Sequence, residues 1–182
     1  MTADPLTAEL AYAEARAARD RAVRRALVVP LRLAGTAELG GAVAVLLIGR
    51  DHLASYFVPA YVLVLGGGAW WYRRYARVHG VLLPVLPWLL ILVPMIVCAA
   101  MLSHLGFVLD NELVQVACPT LTNAAALAAV GVWLRSRRLL LAATAMVAAT
   151  VVAVTVASGD RAVSLQLFAY GLLLWQASRI SP

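Results

Sequence analysis

One carboxylate stands inside a long apolar stretch, and it is the residue of this sequence best placed to do chemistry. Glu38 lies near the middle of residues 27–49, LVVPLRLAGTAELGGAVAVLLIG, a stretch long enough to cross a bilayer. An acidic residue at the centre of a membrane helix costs about 2.5–3.5 kcal/mol on insertion scales. An apolar environment favours the neutral carboxyl, which donates one hydrogen bond and accepts others. Glu38 is therefore a candidate proton carrier, ion ligand or substrate contact.

The alternative interpretation of Glu38 is structural, as a hydrogen-bonding group that sets helix packing. Such interhelical bonds contribute on average only about 0.6 kcal/mol. The residues three and four positions away are Ala34, Gly35, Gly41 and Ala42, and all of them are small. Small residues let helices approach closely, so this face is expected to pack on protein rather than on lipid. Both interpretations require Glu38 to be enclosed by neighbouring helices.

Polar or helix-bending residues also mark the centres of the other apolar stretches. If each centre is placed at the bilayer midplane, the residues at that depth are Tyr61, Pro94, Asn123, Thr150 and Tyr170. An amide suits a protonated carboxyl because it both donates and accepts hydrogen bonds. The run Pro119-Thr120-Leu121-Thr122-Asn123 is the most polar intramembrane stretch after that of Glu38. The candidate ligand or proton site therefore consists of Glu38, Asn123, Tyr61, Tyr170 and Thr120.

The sequence contains no motif for a cofactor, a metal ion or hydrolysis. Gly66–Gly68 lacks the lysine and the Ser or Thr of a phosphate-binding loop. His52 and His104 have no fixed ligand spacing. Cys98 and Cys118 form no C-x-x-C pair, and we expect them to pack as small apolar residues. We therefore expect no cofactor and no metal site.

Composition indicates a membrane protein. The 182 residues are 63% hydrophobic and 13% charged, with a mean hydropathy of +0.86. Soluble domains are about 45–50% apolar and about 25% charged. The 15 basic residues are all arginine, which with the high alanine content indicates a GC-rich bacterial genome. Topology explains their excess over nine acidic residues better than nucleic-acid binding does. The expected partner is the lipid bilayer, and the expected location is the bacterial cytoplasmic (inner) membrane.

Six apolar segments predict an all-α integral membrane protein with six transmembrane helices in an antiparallel up-down bundle. The predicted spans are 27–49, 53–72, 81–103, 113–134, 139–157 and 162–178. The connections are short, so consecutive helices are expected to be antiparallel neighbours. Residues 1–26 are predicted to form a cytoplasmic, amphipathic helix rich in Arg and Ala, and residues 27–182 the transmembrane domain.

Charge predicts the direction of the bundle. All arginines except Arg50 and Arg161 fall on one predicted side, and the acidic residues Asp51, Asp110, Glu112 and Asp160 fall on the other. The positive-inside rule therefore places both termini in the cytoplasm. Aromatic and basic residues near span ends act as interfacial anchors. The predicted membrane-interface residues are Arg32, Trp70, Trp71, Arg73 and Arg74.

Three classes of function fit these features. The first, which we favour, is a non-catalytic transport-related or complex-forming subunit with a polar midplane site around Glu38. In length and number of spans the chain resembles the substrate-binding subunits of vitamin-type uptake transporters, which have about six spans. The second is an intramembrane enzyme that uses Glu38 as proton donor to a lipid-like, isoprenoid substrate. The third is a membrane sensor or accessory protein that binds a membrane or cytoplasmic protein through the N-terminal helix.

Overall fold

The computed structural model describes residues 5–80 and 111–179, together with 97, 101, 104–106, 108 and 109. These residues form five main α-helices and a short 3-10 helix, and none of them is in a strand. The helices are α1 Pro5–Ile48, the 3-10 helix Arg50–His52, α2 Leu53–His79, α3 Glu112–Trp133, α4 Arg137–Val156 and α5 Gly159–Ser178. The predicted all-α class is confirmed for this part of the chain.

Several predictions fall on other residues. Most of the third predicted span, 81–103, lies outside the described residues, with Pro94 and Cys98 in it. Cys118 and Thr120 belong to α3, but their side chains are not among those described.

Helix α1 joins the predicted N-terminal helix and the first predicted span into one element. It is 44 residues long, roughly 66 Å at the rise of an α-helix. The Ala, Arg and Leu residues around position 26 are strong helix formers, so the helix does not end there, and it also continues through Pro30. Every residue from 7 to 21 is exposed, and burial begins at Val23. The first part of α1 therefore projects from the bundle.

Turn chemistry fixes the ends of the next two helices. Gly49 precedes the 3-10 helix with φ of 77°, and Gly80 ends α2 with φ of 61°, where its N–H donates to the Ala76 carbonyl. A left-handed glycine is a common helix stop because it has no Cβ to clash. Asn111 caps α3, and its side-chain oxygen accepts a hydrogen bond from the Val114 N–H at 3.1 Å. Because α2 ends at the Gly80 cap, it runs past its predicted end at residue 72.

Close backbone approach brings α1 and α5 together. Helix α1 packs most extensively on α5 and then on α2, while α4 packs on both α3 and α5. A Cβ added at Gly35 would lie 2.9 Å from the Gly171 carbonyl oxygen, and one added at Gly171 would lie 2.8 Å from that of Gly35. Only residues without side chains permit this crossing, as at many helix pairs in membranes.

Two apolar clusters surround this crossing. The larger joins α1, α3, α4 and α5 through buried residues such as Leu27, Leu127, Met146 and Ala177. The smaller joins α1 and α5 through Ala42, Val45, Val163 and Leu167, with Phe57 of α2 packed against it. Helix α1 contributes to both clusters and is the common element of the fold.

Hydrogen bonds sort the helix ends into two groups. Arg24 Nη2 donates to the Leu134 carbonyl at 2.9 Å, and Arg138 Nη1 donates to the Arg179 carbonyl at 2.7 Å. The α3–α4 turn, residues 134–136, therefore lies with Arg24 and with the C-terminal end of α5. We call this the arginine-rich end. The backbone N–H of Arg50 donates to Asp160 at 3.3 Å, which joins the α1–α2 turn to the start of α5.

Two of these helices are long and apolar enough to cross a membrane. They are α1, over Thr7–Ile48, and α4, over Arg137–Val156; a shorter apolar segment runs over Leu121–Trp133 in α3. The length and composition of these two helices are weak evidence that the protein associates with a membrane.

Candidate polar site inside the bundle

Glu38 is enclosed by the bundle. Its side chain is 5% exposed, and it lies on α1 between the contacts with α5 and those with α2. Gly35, one turn before it, faces α5, whereas a Cβ at Gly41 would lie 2.5 Å from the Phe57 ring of α2. Ala42 is buried, and its carbonyl accepts a hydrogen bond from Ser164 at 2.9 Å. The small residues around Glu38 thus contact protein.

Tyr61 of α2 is the hydrogen-bond partner of the buried carboxyl. Its hydroxyl donates to Glu38 Oε1 at 2.9 Å. Phe57, one turn earlier, stacks on the Tyr61 ring with centroids 5.5 Å apart, and this fixes the direction of the phenol. Tyr56 donates to the Ala37 carbonyl at 2.9 Å and fills the space beside Gly40. Three aromatic rings of α2 therefore hold this helix against α1 around Glu38.

Asn123 of α3 completes the group from a third helix. Its side chain lies near the Tyr61 side chain and interacts with the phenol. The amide, the phenol and the carboxyl thus form a series from α3 through α2 to α1, with Tyr61 in the middle. We call these three residues the Glu38 site. We expected Asn123 to contact Glu38 directly. In the structure it interacts with Tyr61, and Tyr61 contacts Glu38.

Thr150 and Tyr170 form a second polar group. The Thr150 and Tyr170 hydroxyl oxygens lie 2.6 Å apart, and Gln166 Nε2 donates to Thr150 Oγ1 at 3.0 Å. All three side chains are at most 2% exposed. Gln166 is not among the residues predicted for the site. The signal that could have identified it is its position four residues before Tyr170, on the same helix face.

The two polar groups lie at a similar depth. Gly171 follows Tyr170, and it contacts α1 at Gly35 and Leu39, on either side of Glu38. The residues predicted at one depth are thus divided between two helix junctions, with Tyr61 and Asn123 at the first and Thr150 with Tyr170 at the second.

The predicted interfacial residues lie toward the arginine-rich end. Arg32 Nε donates to Ser178 Oγ at 3.3 Å, and its guanidinium lies 5.6 Å from the Trp175 ring centroid. Arg74 lies 5.4 Å from the centroid of the Trp70 ring. Arg73 is exposed, and Trp71 is half-buried. These cation–π pairs combine a charged tip with an apolar ring, which suits a membrane–water boundary.

The Glu38 site offers hydrogen-bond acceptors and exchangeable protons in an apolar setting. A carboxyl has about four acceptor positions, and the Tyr61 hydroxyl occupies one of them. Such a group can take up a proton, coordinate a cation or bind a polar part of a ligand. The described residues around it are mainly aromatic and small, so the carboxyl dominates the chemistry of the site.

No protein-family model matches this chain, and no curated protein or solved structure matches it either.

Proposed function

We propose that this chain is a non-catalytic, transport-related or complex-forming membrane subunit that binds a proton or a small ligand at the Glu38 site. The observation that carries the proposal is the burial of Glu38 at a helix junction, with the Tyr61 hydroxyl bonded to its carboxyl. Intramembrane carboxyls that face a bundle interior are typical of ion and proton pathways.

Energetics favour this role over a structural one. Insertion of an acidic residue costs about 2.5–3.5 kcal/mol, whereas one interhelical hydrogen bond returns on average about 0.6 and at most about 1.7 kcal/mol. The bond with Tyr61 therefore offsets only part of the cost of Glu38. An apolar side chain would stabilise this junction better, so a role in binding accounts for the carboxyl.

The proposal includes six spans, with both termini in the cytoplasm of a bacterial cell. The supporting observation is that the α3–α4 turn, the C-terminal end of α5 and the N-terminal part of α1 meet at one end of the bundle. The sequence had assigned the arginines of these segments to one side. Among the described arginines, only Arg50 and Arg161 belong to the opposite end, beside Asp160. An excess of arginine at one end is what the positive-inside rule requires of the cytoplasmic face.

A lipid-soluble carbodiimide tests the proposal without knowledge of the ligand. The reagent takes the proton of a neutral carboxyl on one nitrogen and forms a bond from its central carbon to the carboxyl oxygen. We expect peptide mass spectrometry to find Glu38 modified in the folded protein in vesicles. A water-soluble carbodiimide should instead modify exposed carboxylates such as Glu14.

The variants Glu38→Gln and Tyr61→Phe complete this experiment. The first should lose the modification, and the second should change its rate. Modification of Glu38 only after the protein is unfolded would contradict the proposal. A carboxyl that no reagent reaches in the folded protein can contribute to helix packing but cannot bind a ligand. Equal modification of Glu38 by the water-soluble reagent would place it outside the apolar interior.

A further inference from the structure

A basic cleft opens at the arginine-rich end, away from the Glu38 site. It lies between the N-terminal part of α1 and the α3–α4 turn, and its volume is about 790 Å³. We call it the basic cleft. Its polar and aromatic lining residues are Tyr12, Arg16, Arg19, Asp20, Trp133 and Arg135.

Charge in the basic cleft favours an anion. Three arginines line it, against the single acidic residue Asp20. The planar guanidinium fork matches the oxygens of a phosphate, and such pairs bind bidentately. A volume of about 790 Å³ lies within the range of about 300–1,000 Å³ for ligand pockets and exceeds what one inorganic phosphate needs.

The aromatic residues of the basic cleft indicate where that anion would lie. Tyr12 is 71% exposed and Trp133 is 38% exposed. Tyr and Trp concentrate at the headgroup level of membranes, where an apolar ring and a polar tip are both accommodated. The pairs Arg32 with Trp175 and Arg74 with Trp70 belong to the same end of the bundle.

We infer that the basic cleft binds the headgroup of an anionic phospholipid, with Arg16, Arg19 and Arg135 on its phosphate. Lipid is favoured over an acidic protein segment because the cleft combines exposed aromatic rings with arginines at the end proposed as the cytoplasmic face, where lipid headgroups meet water. The inference rests on the membrane placement proposed above and is independent of the Glu38 site.

The backbone of the α3–α4 turn holds Arg135 at the cleft. The Arg24 side chain binds the carbonyl of Leu134 at 2.9 Å, and Arg135 adopts a left-handed conformation with φ of 49°. A side chain in this region costs roughly 1–2 kcal/mol relative to glycine. The turn therefore keeps an arginine where glycine would fit with less strain.

Lipid binding by the full-length protein tests the inference. Native mass spectrometry would count the lipids retained from vesicles of phosphatidylcholine with and without phosphatidylglycerol. The variants are Arg19→Gln and Arg135→Gln. Arg21→Gln is the matched control, because Arg21 is exposed on the same helix and is not part of the cleft lining. A second variant of the turn, Arg135→Gly, removes the charge while it relieves the strain.

We expect the wild-type protein to retain phosphatidylglycerol in preference to phosphatidylcholine. Each cleft variant should lower the affinity for phosphatidylglycerol about fivefold, since one basic residue near an anionic surface contributes about 1 kcal/mol. The control Arg21→Gln should retain the wild-type affinity for the bound lipid.

Three outcomes would overturn the inference. If Arg21→Gln lowered the affinity for phosphatidylglycerol as much as the cleft variants do, the lipid would be attracted to the charge of the whole helix and not bound in the cleft. Equal retention of phosphatidylglycerol and phosphatidylcholine would show that the charge of the headgroup does not determine binding. Loss of a dimer, rather than of lipid, in the cleft variants would assign the cleft to a second copy of the chain. Failure of the wild-type protein to float with vesicles would contradict the membrane placement itself, and flotation separates that failure from a failure of the cleft.

Discussion

The crossing of α1 and α5 gives the most quantitative prediction of the fold. In Gly171→Ala the new Cβ would lie 2.8 Å from the Gly35 carbonyl oxygen and 2.5 Å from Leu39 Cγ. A backbone oxygen, unlike the end of a side chain, cannot move away by rotation about a bond. The two helices must therefore separate. Overpacking of this kind costs about 1–3 kcal/mol, while the better helix propensity of alanine returns up to about 1 kcal/mol. The expected net result is a destabilisation of about 0–3 kcal/mol.

A matched control isolates the packing contribution. Gly66 lies inside α2, and a Cβ there would meet nothing within 4 Å among the described residues. Gly66→Ala should therefore gain only the helix propensity and stabilise the protein by up to about 1 kcal/mol. Unfolding in detergent micelles, followed by circular dichroism, would measure both variants. Equal stability of the two variants would refute the close crossing and the position it gives to Glu38.

Three further predictions concern stability. Asn111→Ala should destabilise the protein by about 1 kcal/mol, because the α3 cap is lost. Asn111→Asp should retain most of the stability that the cap provides. The unfolding midpoint in detergent measures both variants. Thr150→Val should cost about 1–3 kcal/mol, because it removes the hydroxyl that bonds both Tyr170 and Gln166 inside the core, whereas the same change at exposed Thr144 should cost much less. Comparable unfolding midpoints for those two variants would count against the second polar group. Arg135→Gly should leave stability unchanged or raise it by roughly 1 kcal/mol, and a clear loss in thermal unfolding would contradict the strain assigned to that turn.

The sequence predicted the depth of the polar residues better than their direction. The positions of Glu38, Tyr61 and Asn123 along the chain were enough to place them at one level, because span centres can be counted. Which residues face each other depends on the rotation of each helix, which is set by contacts such as Phe57 on Gly41. Those contacts join residues distant in sequence and leave no local signal.

The length of α1 shows a different limit. The predicted boundary at residue 26 followed the change from charged to apolar composition, but a helix continues through such a change when its residues are good helix formers. Gln166 shows a third limit, because an amide inside a weakly apolar span is indistinguishable from a surface residue until its partner Thr150 is known. The all-α class was predictable because apolar length and short connections are properties of the chain itself.

The hydrogen bond between Tyr61 and Glu38 is the contact on which the proposed site depends, and infrared spectroscopy tests it most directly. The carboxyl bands of Glu38 would be assigned from the difference between the wild-type protein and Glu38→Gln. We expect these bands to shift in Tyr61→Phe. They should stay in place in Tyr56→Phe, because the Tyr56 hydroxyl donates to the Ala37 carbonyl. Bands that are the same in Tyr61→Phe as in the wild type, or that move equally in both variants, would contradict this contact.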